Sequence, residues 1–440
     1  MSPLQYGLTP KMRPLAPRRS AVVAALDIGT SKIVCLVARL RPRPPQDVLR
    51  RRTHAIQILG FSHTEARGIK AGRITGLAEA EAAIRNAVDV AERTARCQIE
   101  ALIVSLSAGR PSSELLAASV EVPGEVRDND IVRVLAAGSR LSVRAGRAVL
   151  HSIPIDYGVD AERGIRDPRG MLARQFSVDM HVVTAEAAAA RNLMLAVERC
   201  HLSVEAIAVS PYVAALSALA DDEADLGAAV IDMGAGTTTM AVFAGGRFVH
   251  ADGFALGGRH VTMDIARGLS TSLHDAERIK TLYGNVLTGA MDDRDMIPVP
   301  AVAGDDRDSP QFVSRATLTR IIKPRMEEIL ELVRDRLAAS PFASEPRGRV
   351  IATGGASELT GFVDLAARIL GRPVRIGRPL GVSGLPEGAK GAAFAVAAGL
   401  LVYPQVAHLE HFDSRLALRL RAGHRGGYFA KVGQWLRESF

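Results

Sequence analysis

The sequence AAVIDMGAGTTTMAVF at residues 228–243 decides the fold. An apolar run ends at Asp232, a turn rich in glycine and threonine follows, and a second apolar run begins at Met240. This pattern predicts two strands joined by a tight turn. The same strand, Asp-x-Gly turn and strand occur at residues 22–39, 205 positions earlier. We therefore expect two duplicated, strand-rich α/β halves.

Both turns, and a third glycine turn at residues 353–357, have the composition of a phosphate site. Glycine-rich turns leave backbone N–H groups free to point at an anion, and small side chains let phosphate oxygens approach. An aspartate that ends the preceding strand can hold a hydrated Mg²⁺ against those phosphates. The candidates are Asp27, Gly29, Thr30, Ser31 and Lys32, then Asp232, Gly234, Gly236, Thr237 and Thr238, and finally Gly354, Gly355 and Ala356.

The specificity of this signal lies in its repetition. One Asp-x-Gly turn between strands is a common hairpin, whereas three glycine turns in this order, in two halves of a duplicated chain, are much more specific. The sequence contains no Walker-type Gly-x-x-x-x-Gly-Lys-Ser/Thr loop, which disfavours the P-loop fold.

Length and composition are those of a globular protein. The 440 residues, 48% of them apolar and 23% charged, predict about two to four domains with buried cores. The three cysteines lie far apart and match neither a metal site nor a disulfide framework, which suits a reducing cytoplasm. The longest apolar stretch, residues 391–403, is shorter than the roughly 20 residues that span a bilayer. We expect a buried helix there, with no signal peptide and no membrane span.

The net charge of +8 is concentrated at the two ends of the chain. Residues 1–53 carry +9 and residues 411–440 carry +4, which leaves −5 on residues 54–410. An acidic body argues against a main folded surface that binds nucleic acid. The arginine- and proline-rich segment 41–52 is interpreted as a solvated loop between strands, and its role stays open.

Apolar runs and turn residues divide the chain into units. Residues 1–20 contain four prolines and no apolar period, which predicts a flexible leader. Turns are expected at Ile153-Pro154 and at residues 167–170, and a polar loop at 289–312. The expected units are the leader (1–20), a first half (21–104, 184–224 and 379–403), an inserted α+β subdomain (105–183), a second half (225–258 and 315–378), its small subdomain (259–314), a linker (404–426) and a terminal helix (427–440).

The three turns resemble the phosphate-1, phosphate-2 and adenosine motifs of the actin-like ATPase superfamily. Within it, the sequence closely resembles the FtsA family of bacterial cell-division proteins over residues 21–403, with the spacing preserved. The resemblance implies an actin-like α/β fold, in which two ribonuclease-H-like halves surround a nucleotide cleft and residues 105–183 form an FtsA-type insertion. The supporting segments are 68–72, 105–109, 153–157, 167–171, 257–264, 276–280 and 351–355.

The same resemblance implies ATP and Mg²⁺ as ligands. Asp27 and Asp232 would organise Mg²⁺ and its waters, the first two turns would hold the β- and γ-phosphates, and the third would lie along the nucleoside. Glu277 and Lys280 would approach the ribose or adenine, although a surface ion pair on one helix is an equal alternative. Superfamily members that hydrolyse ATP well usually have Glu or Gln where this chain has Ser210. A serine hydroxyl is a poor base near neutral pH, so slow or negligible turnover is expected.

The last residues predict an amphipathic helix behind a glycine-containing tether. At 100° per residue, its apolar side chains share an arc of about 140°. Four of the 19 aromatic residues of the chain fall within residues 428–440. Such a helix suits an anionic membrane surface, and docking on its own domain is the alternative. The candidate membrane-binding residues are Tyr428, Phe429, Lys431, Val432, Trp435, Leu436, Arg437 and Phe440.

With these features, the resemblance implies a cell-division protein that binds ATP and tethers filaments of the tubulin-like protein FtsZ to the cytoplasmic face of the cell membrane at the septum. By resemblance, it would also assemble with itself and recruit later division proteins. The FtsZ contact is expected near residues 317–337, where the candidates are Arg320, Lys323, Arg325 and Glu328.

Three alternatives stay open. A small-molecule kinase on the same fold would need a catalytic aspartate facing a substrate hydroxyl, and none can be assigned. A pilus-assembly or cell-shape relative is the second, and cell-shape relatives have a different subdomain in place of residues 105–183. Nucleic-acid binding through residues 39–52, the third, would show as a steep salt dependence of DNA affinity.

Overall fold

The computed structural model describes residues 9–12, 14–16, 18–43, 49–138, 144–300 and 311–411. In these ranges the chain forms two large mixed sheets, one four-stranded antiparallel sheet and two two-stranded sheets. The strands are β1 (Ala21–Ile28), β2 (Lys32–Pro42), β3 (His54–Glu65), β4 (Ile69–Lys70), β5 (Arg73–Ile74), β6 (Ala101–Leu106), β7 (Ser112–Glu125), β8 (Arg147–Val159), β9 (Glu162–Ile165), β10 (Leu172–Glu186), β11 (Ser203–Val209), β12 (Ala228–Met233), β13 (Thr238–Ala244), β14 (Arg247–Phe254), β15 (Met296–Val299), β16 (Gln311–Ser314), β17 (Arg349–Thr353), β18 (Val374–Ile376) and β19 (Val382–Ser383). The helices are α1 (Leu77–Ala95), α2 (Asp128–Gly138), α3 (Ala187–Glu198), α4 (Ser210–Ala218), α5 (Asp221–Leu226), α6 (Gly258–Gly268), α7 (Leu273–Tyr283), α8 (Arg315–Ala338), α9 (Phe362–Leu370) and α10 (Ala395–Val406).

The two large sheets share the same order of five strands, and the first has one further edge strand, β19, so the predicted duplication is confirmed. The strand order is β11-β6-β1-β2-β3-β19 in the first sheet and β14-β13-β12-β17-β18 in the second. In each sheet, the strand that ends in an Asp-x-Gly turn is antiparallel to the next strand along the chain and parallel to a later one. Asp27 and Asp232 therefore occupy equivalent places, each one residue before the end of its strand.

The second large sheet divides its side chains between two hydrophobic cores. Successive residues of a strand point to opposite faces of the sheet. Ala228 and Val230 of β12 pack into the core shared with the first half, whereas Ala229 and Ile231 pack into the core beneath α6, α8 and α9. The middle of the sheet is thus covered on both faces, and β12 and β13 are buried along nearly their whole length rather than at alternate positions.

Helices α4 and α10 pack against each other between the two halves. Their approach depends on Gly399, because a Cβ atom at this position would lie 1.7 Å from the carbonyl oxygen of Val213. The stretch Ala392–Leu409 is long and apolar enough to cross a membrane, but 78% of it is buried inside the protein. It is a core helix, as the apolar run at 391–403 predicts.

The inserted subdomain is the predicted small α+β unit. Its antiparallel sheet has the order β7-β10-β8-β9, and α2 packs on it. The predicted turn at Ile153-Pro154 is wrong, because both residues lie inside β8. The ladder passes from Asp156 to Pro154 and leaves Ile155 as a bulge, which is how a strand accommodates a residue without an N–H donor.

The predicted polar loop at 289–312 is also wrong in part. It contains β15, which pairs with β16 in antiparallel register from Met296 opposite Ser314 to Val299 opposite Gln311. Only Ile297 and Val299 of β15 are buried, so the apolar signal is too short to identify a strand from sequence.

Part of the predicted flexible leader is docked on the body. The Thr9 hydroxyl donates a hydrogen bond of 2.9 Å to the carbonyl oxygen of Val149, and Thr9 is buried. Met12 and Leu15 pack against the first core. The prolines of the segment explain why it has no helix or strand pattern, although it still buries apolar surface.

The arginines at the end of segment 41–52 have partners in the body. Arg50 pairs with Asp222 at 2.7 Å and also with Asp225, and Arg51 pairs with Asp225. The carboxylates belong to α5, which sequence patterns indicated only as an acidic linker. The end of this loop is therefore held against the junction between the two halves.

Candidate functional site

A cleft of about 380 Å³ lies between the two large sheets, where β1, β12 and β17 end. It brings together residues from all three glycine turns and from α7, which are separated by up to 329 positions in sequence. The predicted residues that line it are Asp27, Gly29, Thr30, Ser31, Lys32, Asp232, Gly234, Thr237, Glu277, Lys280, Gly354, Gly355 and Ala356.

The first two turns have matching geometry. The Gly29 N–H donates to the carbonyl oxygen of Lys32 at 3.0 Å, and the Gly234 N–H donates to that of Thr237 at 2.9 Å. Each turn thus closes on itself at the same offset from its aspartate, as expected for two copies of one element.

Two predicted residues do not line the cleft. Gly236 lies against the first turn, because a Cβ atom there would come within 2.4 Å of Thr30 Oγ1. Thr238 is fully buried and donates its hydroxyl to the carbonyl oxygen of Leu256 at 2.9 Å. Gly236 therefore allows the two halves to approach, and Thr238 anchors the second turn to the loop before α6.

The two aspartates form a buried acidic pair with Lys32 nearby. Burial and the neighbouring Asp27 raise the pKa of Asp232 to about 7. Burial also raises the pKa of Asp27, although the Ser105 hydroxyl donates to Asp27 Oδ1 at 2.6 Å and acts in the opposite direction. Burial lowers the pKa of Lys32, against the charges of Asp27, Glu358 and Asp232. Burial thus disfavours the ionised form of both carboxylates, and a divalent ion bound beside them would favour it.

Ser210 supplies a second sign that the cleft is built for a ligand. The residue is 1% exposed, and its Oγ has no hydrogen-bond partner in the part of the chain that the structure describes. Buried hydroxyls are normally paired, so an unpaired one at the wall of a polar cleft fits a bound group or water.

Glu277 and Lys280 form the ion pair that was the alternative to a ligand role, and they also line the cleft. Lys280 Nζ lies 2.7 Å from Glu277 Oε2, and it donates to Thr262 Oγ1 at 2.9 Å and to the carbonyl oxygen of Gly258 at 3.2 Å. The lysine is nearly buried, whereas the glutamate is half exposed.

Sequence patterns missed several residues of the wall. Glu358 follows the third turn directly and Gly258 begins α6 beside the second turn, so both stood next to recognised motifs. The others carry small or apolar side chains with no chemical signature. The missed residues are Ser107, Ala235, Gly258, Thr281, Gly284, Glu358, Leu359, Thr360, Ala392, Ala393 and Val396.

A buried polar cluster lies behind Ser210. Glu410 accepts hydrogen bonds from the Tyr403 hydroxyl at 2.9 Å and from Nδ1 of the fully buried His151 at 2.7 Å. Lys11 Nζ lies 3.7 Å from the other oxygen of Glu410. The Nε2 atom of His151 accepts the N–H of Val209 at 2.9 Å, which requires a neutral ring, and burial lowers the pKa of His151 in the same sense.

The candidate partner-binding residues have different surroundings. Arg325 is partly buried and lies 2.6 Å from Asp264 of α6, and it also pairs with Glu328. Arg320 donates to Thr317 on its own helix, and Lys323 lies 3.9 Å from Glu327. The candidate membrane-binding residues at 428–440 lie outside the described residues.

Comparison with solved structures places this fold in a known class. A chain of the PilM-PilN type IV pilus biogenesis complex matches with a TM-score of 0.57 and 17% identity, over 87% of this chain and 98% of that one. MreB5 of Spiroplasma citri bound to ADP matches with a TM-score of 0.51 and 14% identity, over 88% and 97%. With its duplicated halves and central cleft, the protein has the actin-like ATPase fold.

Sequence comparison specifies the member of that class. Cell division protein FtsA of Agrobacterium fabrum is 51% identical over 436 residues, which are 99% of this chain and 98% of the relative. FtsA of Escherichia coli is 31% identical over 427 residues, or 95% and 98%. The chain belongs to the FtsA family of cell division proteins.

Family models agree with this assignment. The model of cell division protein FtsA matches residues 229–399, and that of the SHS2 domain inserted in FtsA matches residues 109–184. A model of the type IV pilus assembly protein PilM matches residues 170–285. The predicted insertion at 105–183 is thus the FtsA-type subdomain.

Proposed function

We propose that the cleft binds ATP with Mg²⁺. The observation that carries this proposal is the pair of equivalent turns, which bring Asp27, Asp232 and Lys32 together in a buried, polar cleft. The two turns would hold the β- and γ-phosphates, and residues 354–356 would lie along the nucleoside. No group of three or more His, Cys, Asp or Glu side chains is placed to hold a metal in the described ranges. The two aspartates would therefore act on Mg²⁺ together with water and phosphate oxygens, as is usual for this ion.

Slow hydrolysis is part of the proposal. Ser210 stands in the cleft wall with a free hydroxyl, and a hydroxyl can orient a water molecule but is a weak base near neutral pH. Bound nucleotide would then mainly set the conformation of the two halves and the assembly of the protein with itself.

The C-terminal residues 428–440 are proposed as a peripheral membrane anchor on the cytoplasmic face at the septum. Their sequence supports an amphipathic helix with Trp435 and Tyr428 on the apolar side and Lys431 and Arg437 beside it. One such helix binds weakly, but self-assembly makes each further anchor intramolecular and multiplies the avidity.

The partner of the anchored body would be FtsZ, with later division proteins recruited to the same assembly. Among the four candidate residues on α8, Arg320, Lys323 and Glu328 are the more accessible choices, since Arg325 is held by Asp264. Replacing Arg320 and Lys323 with alanine should weaken FtsZ binding in solution and leave vesicle binding unchanged.

The membrane proposal is tested by co-sedimentation with vesicles of anionic lipid in the presence of ATP. The full chain should pellet, and a chain that ends at Gly426 should stay in solution. Equal pelleting of the two chains would overturn the anchor.

The nucleotide proposal is tested by equilibrium binding of ATP with and without Mg²⁺. Asp232→Asn should remove the dependence of ATP affinity on Mg²⁺, while Asp293→Asn, at an exposed site outside the cleft, should behave like the parent chain. A kinase on the same fold would instead transfer phosphate to a metabolite, and a coupled assay that detects such transfer would contradict the assembly role.

A further inference from the structure

The basic residues of the described part of residues 1–53 differ in their surroundings. Three of them contact groups of the body. Lys11 lies beside Glu410, Lys32 lines the cleft, and Arg52 donates hydrogen bonds to two backbone carbonyl oxygens. Arg50 and Arg51 are neutralised by α5. Arg43 lacks a carboxylate partner in the described ranges, but its Nε is buried. A third group, at the surface or partly exposed, has no carboxylate within ion-pair distance in the described part of the chain, and it consists of Arg18, Arg19, Arg39 and Arg41.

This third group, here called the arginine face, lies at one end of the first large sheet. Arg39 and Arg41 are two positions apart on β2, so their side chains leave the same face of the sheet. Arg39 is paired across the ladder with Val22, whose side chain is 55% exposed. Arg18 and Arg19 are exposed and directly precede β1, next to the same end. The cationic surface therefore surrounds an exposed apolar side chain.

The arginine face stands beside the end of α10, from which the chain continues toward its C-terminus. Gln405, near the end of α10, accepts the N–H groups of Thr53 and His54 at 2.9 and 3.0 Å. His54 also forms a hydrogen bond of 3.0 Å with the carbonyl oxygen of Arg19. His54 is one register position from the residue opposite Arg41. The end of α10 therefore lies at the same end of the sheet as the arginines, whereas Glu410 turns back to His151 beside Val209, near the cleft.

We propose that the arginine face is a second membrane contact, which binds the anionic headgroups of the lipid surface and orients the body on it. This inference rests on the proposed C-terminal anchor, which would bring the face to the bilayer. Guanidinium groups pair bidentately with phosphate, and basic residues next to an anionic leaflet add to its attraction for a peripheral protein. Binding through this face would place the first half of the protein, rather than the cleft, against the membrane.

Lipid is favoured over nucleic acid by position and shape. The arginines are few, they stand beside an exposed valine, and the sequence predicts an amphipathic helix with an aromatic face at residues 428–440. The acidic body around them would repel a duplex that followed the surface further. A planar anionic membrane can contact the arginines at the end of the sheet without following the acidic surface further.

The experiment uses the full chain with Mg²⁺ and ATP, and it compares vesicles of phosphatidylcholine alone with vesicles that contain 30% phosphatidylglycerol. Arg39→Gln with Arg41→Gln should lower the affinity for the anionic vesicles by about fivefold per arginine, and the loss should fade at high salt because of screening. Binding to neutral vesicles should not change. The matched control, Arg267→Gln with Arg347→Gln, removes two exposed arginines of the second half and should bind like the parent chain. Thermal unfolding of each variant checks that the fold is intact.

The two membrane proposals fail in different ways. If truncation at Gly426 abolishes binding while the Arg39/Arg41 variant binds anionic vesicles like the parent chain, the arginine face is wrong and the anchor stands. If truncation changes nothing but the variant loses affinity, the anchor is wrong and the face stands. A variant that loses affinity for duplex DNA but none for anionic vesicles would assign the face to nucleic acid and overturn the lipid proposal.

Discussion

The imidazole ring of His151 joins Glu410 to Val209, with Nδ1 2.7 Å from the Glu410 carboxylate and Nε2 2.9 Å from the Val209 backbone nitrogen. Val209 directly precedes Ser210 in the cleft wall, and Glu410 is the last buried charge before the tail. A single neutral side chain therefore connects the base of the C-terminal tail with the cleft. The first prediction concerns this connection.

Glu410→Ala should lower the free energy of unfolding by about 3–5 kcal/mol, because it removes the carboxylate beside the partly buried Lys11 and leaves the buried Nδ1–H of His151 without its acceptor. Urea titration of the full chain measures the change. Glu387→Ala removes an exposed glutamate paired with Lys390 and should have no measurable effect. Equal stability of the two variants would mean that the Glu410 cluster contributes nothing to the fold.

The second prediction is a pH dependence centred on His181, which ties the insertion to β14. Its Nδ1 lies 2.9 Å from the carbonyl oxygen of Phe248 and its Nε2 lies 2.8 Å from the Ser113 hydroxyl. Burial lowers its pKa to about 3, whereas the unfolded chain takes up the proton near pH 6.5. The stability contributed by the neutral ring is therefore complete above pH 6.5 and is lost as the pH falls toward 3.

His181→Gln keeps one donor and one acceptor but does not titrate. Between pH 6.5 and 4.5, the stability of the parent chain relative to this variant should fall by about 1.4 kcal/mol per pH unit. Urea titrations across this range measure the difference. His274→Gln, at an exposed position on α7, should run parallel to the parent chain. A difference between parent and His181→Gln that does not change with pH would show that the ring is not held neutral.

The third prediction compares two buried serines on α4. Ser217 donates to the carbonyl oxygens of Ala214 and Ala395 at 3.0 and 2.6 Å, whereas Ser210 has no partner among the described residues. Without nucleotide, Ser210→Ala should stabilise the chain by about 1 kcal/mol, and Ser217→Ala should destabilise it by about the same amount.

Calorimetry or urea titration separates the two serine variants. ATP affinity gives a second measure, because Ser210→Ala should weaken binding by about fivefold, the value of one hydrogen bond, while Ser217→Ala should leave it unchanged. Parallel behaviour of the two variants in both measurements would contradict the assignment of Ser210 to the ligand.

The fourth prediction tests the crossing of α4 and α10. Gly399→Ala places a methyl group against the Val213 carbonyl, and the two helices must move apart, so the chain should lose more than about 3 kcal/mol or fail to fold. Gly388→Ala adds a methyl group in open space and should be neutral. Soluble yield and thermal unfolding of the two variants measure the difference. A stable Gly399→Ala chain would show that α4 and α10 can move apart without loss of stability.

The sequence predicted those parts of the fold that carry their own local signal. The turns after Asp27 and Asp232 combine a strand pattern with glycine chemistry, so both the duplication and the cleft could be placed. The bulge at Ile155 could not, because the tolerance of a strand for Pro154 depends on its neighbours in the sheet. The hairpin from Met296 was missed since only two of its side chains are buried.

The sequence predicted the glycines and aspartates of the site. It did not predict the contacts between residues that are far apart in the chain. Gly236 and Thr238 belong to the motif, but the structure turns one toward Thr30 and the other into the interior. The link between His151 and Glu410 spans 259 positions, and no pattern along the chain predicts it. Charge arithmetic located the basic ends, whereas only the fold shows which arginines are already paired.

The alternation along β12 means that the duplicated halves are not separable. Val230 and Ile231 are neighbours in the chain, yet each is an interior residue of a different core. If β12 leaves one core, it also leaves the other. Unfolding of either core should therefore disrupt the packing on both faces of the sheet. Although the repeat suggests an ancestral half that was complete in itself, the present chain should melt as a single cooperative body, and a fragment containing only one repeat should not persist.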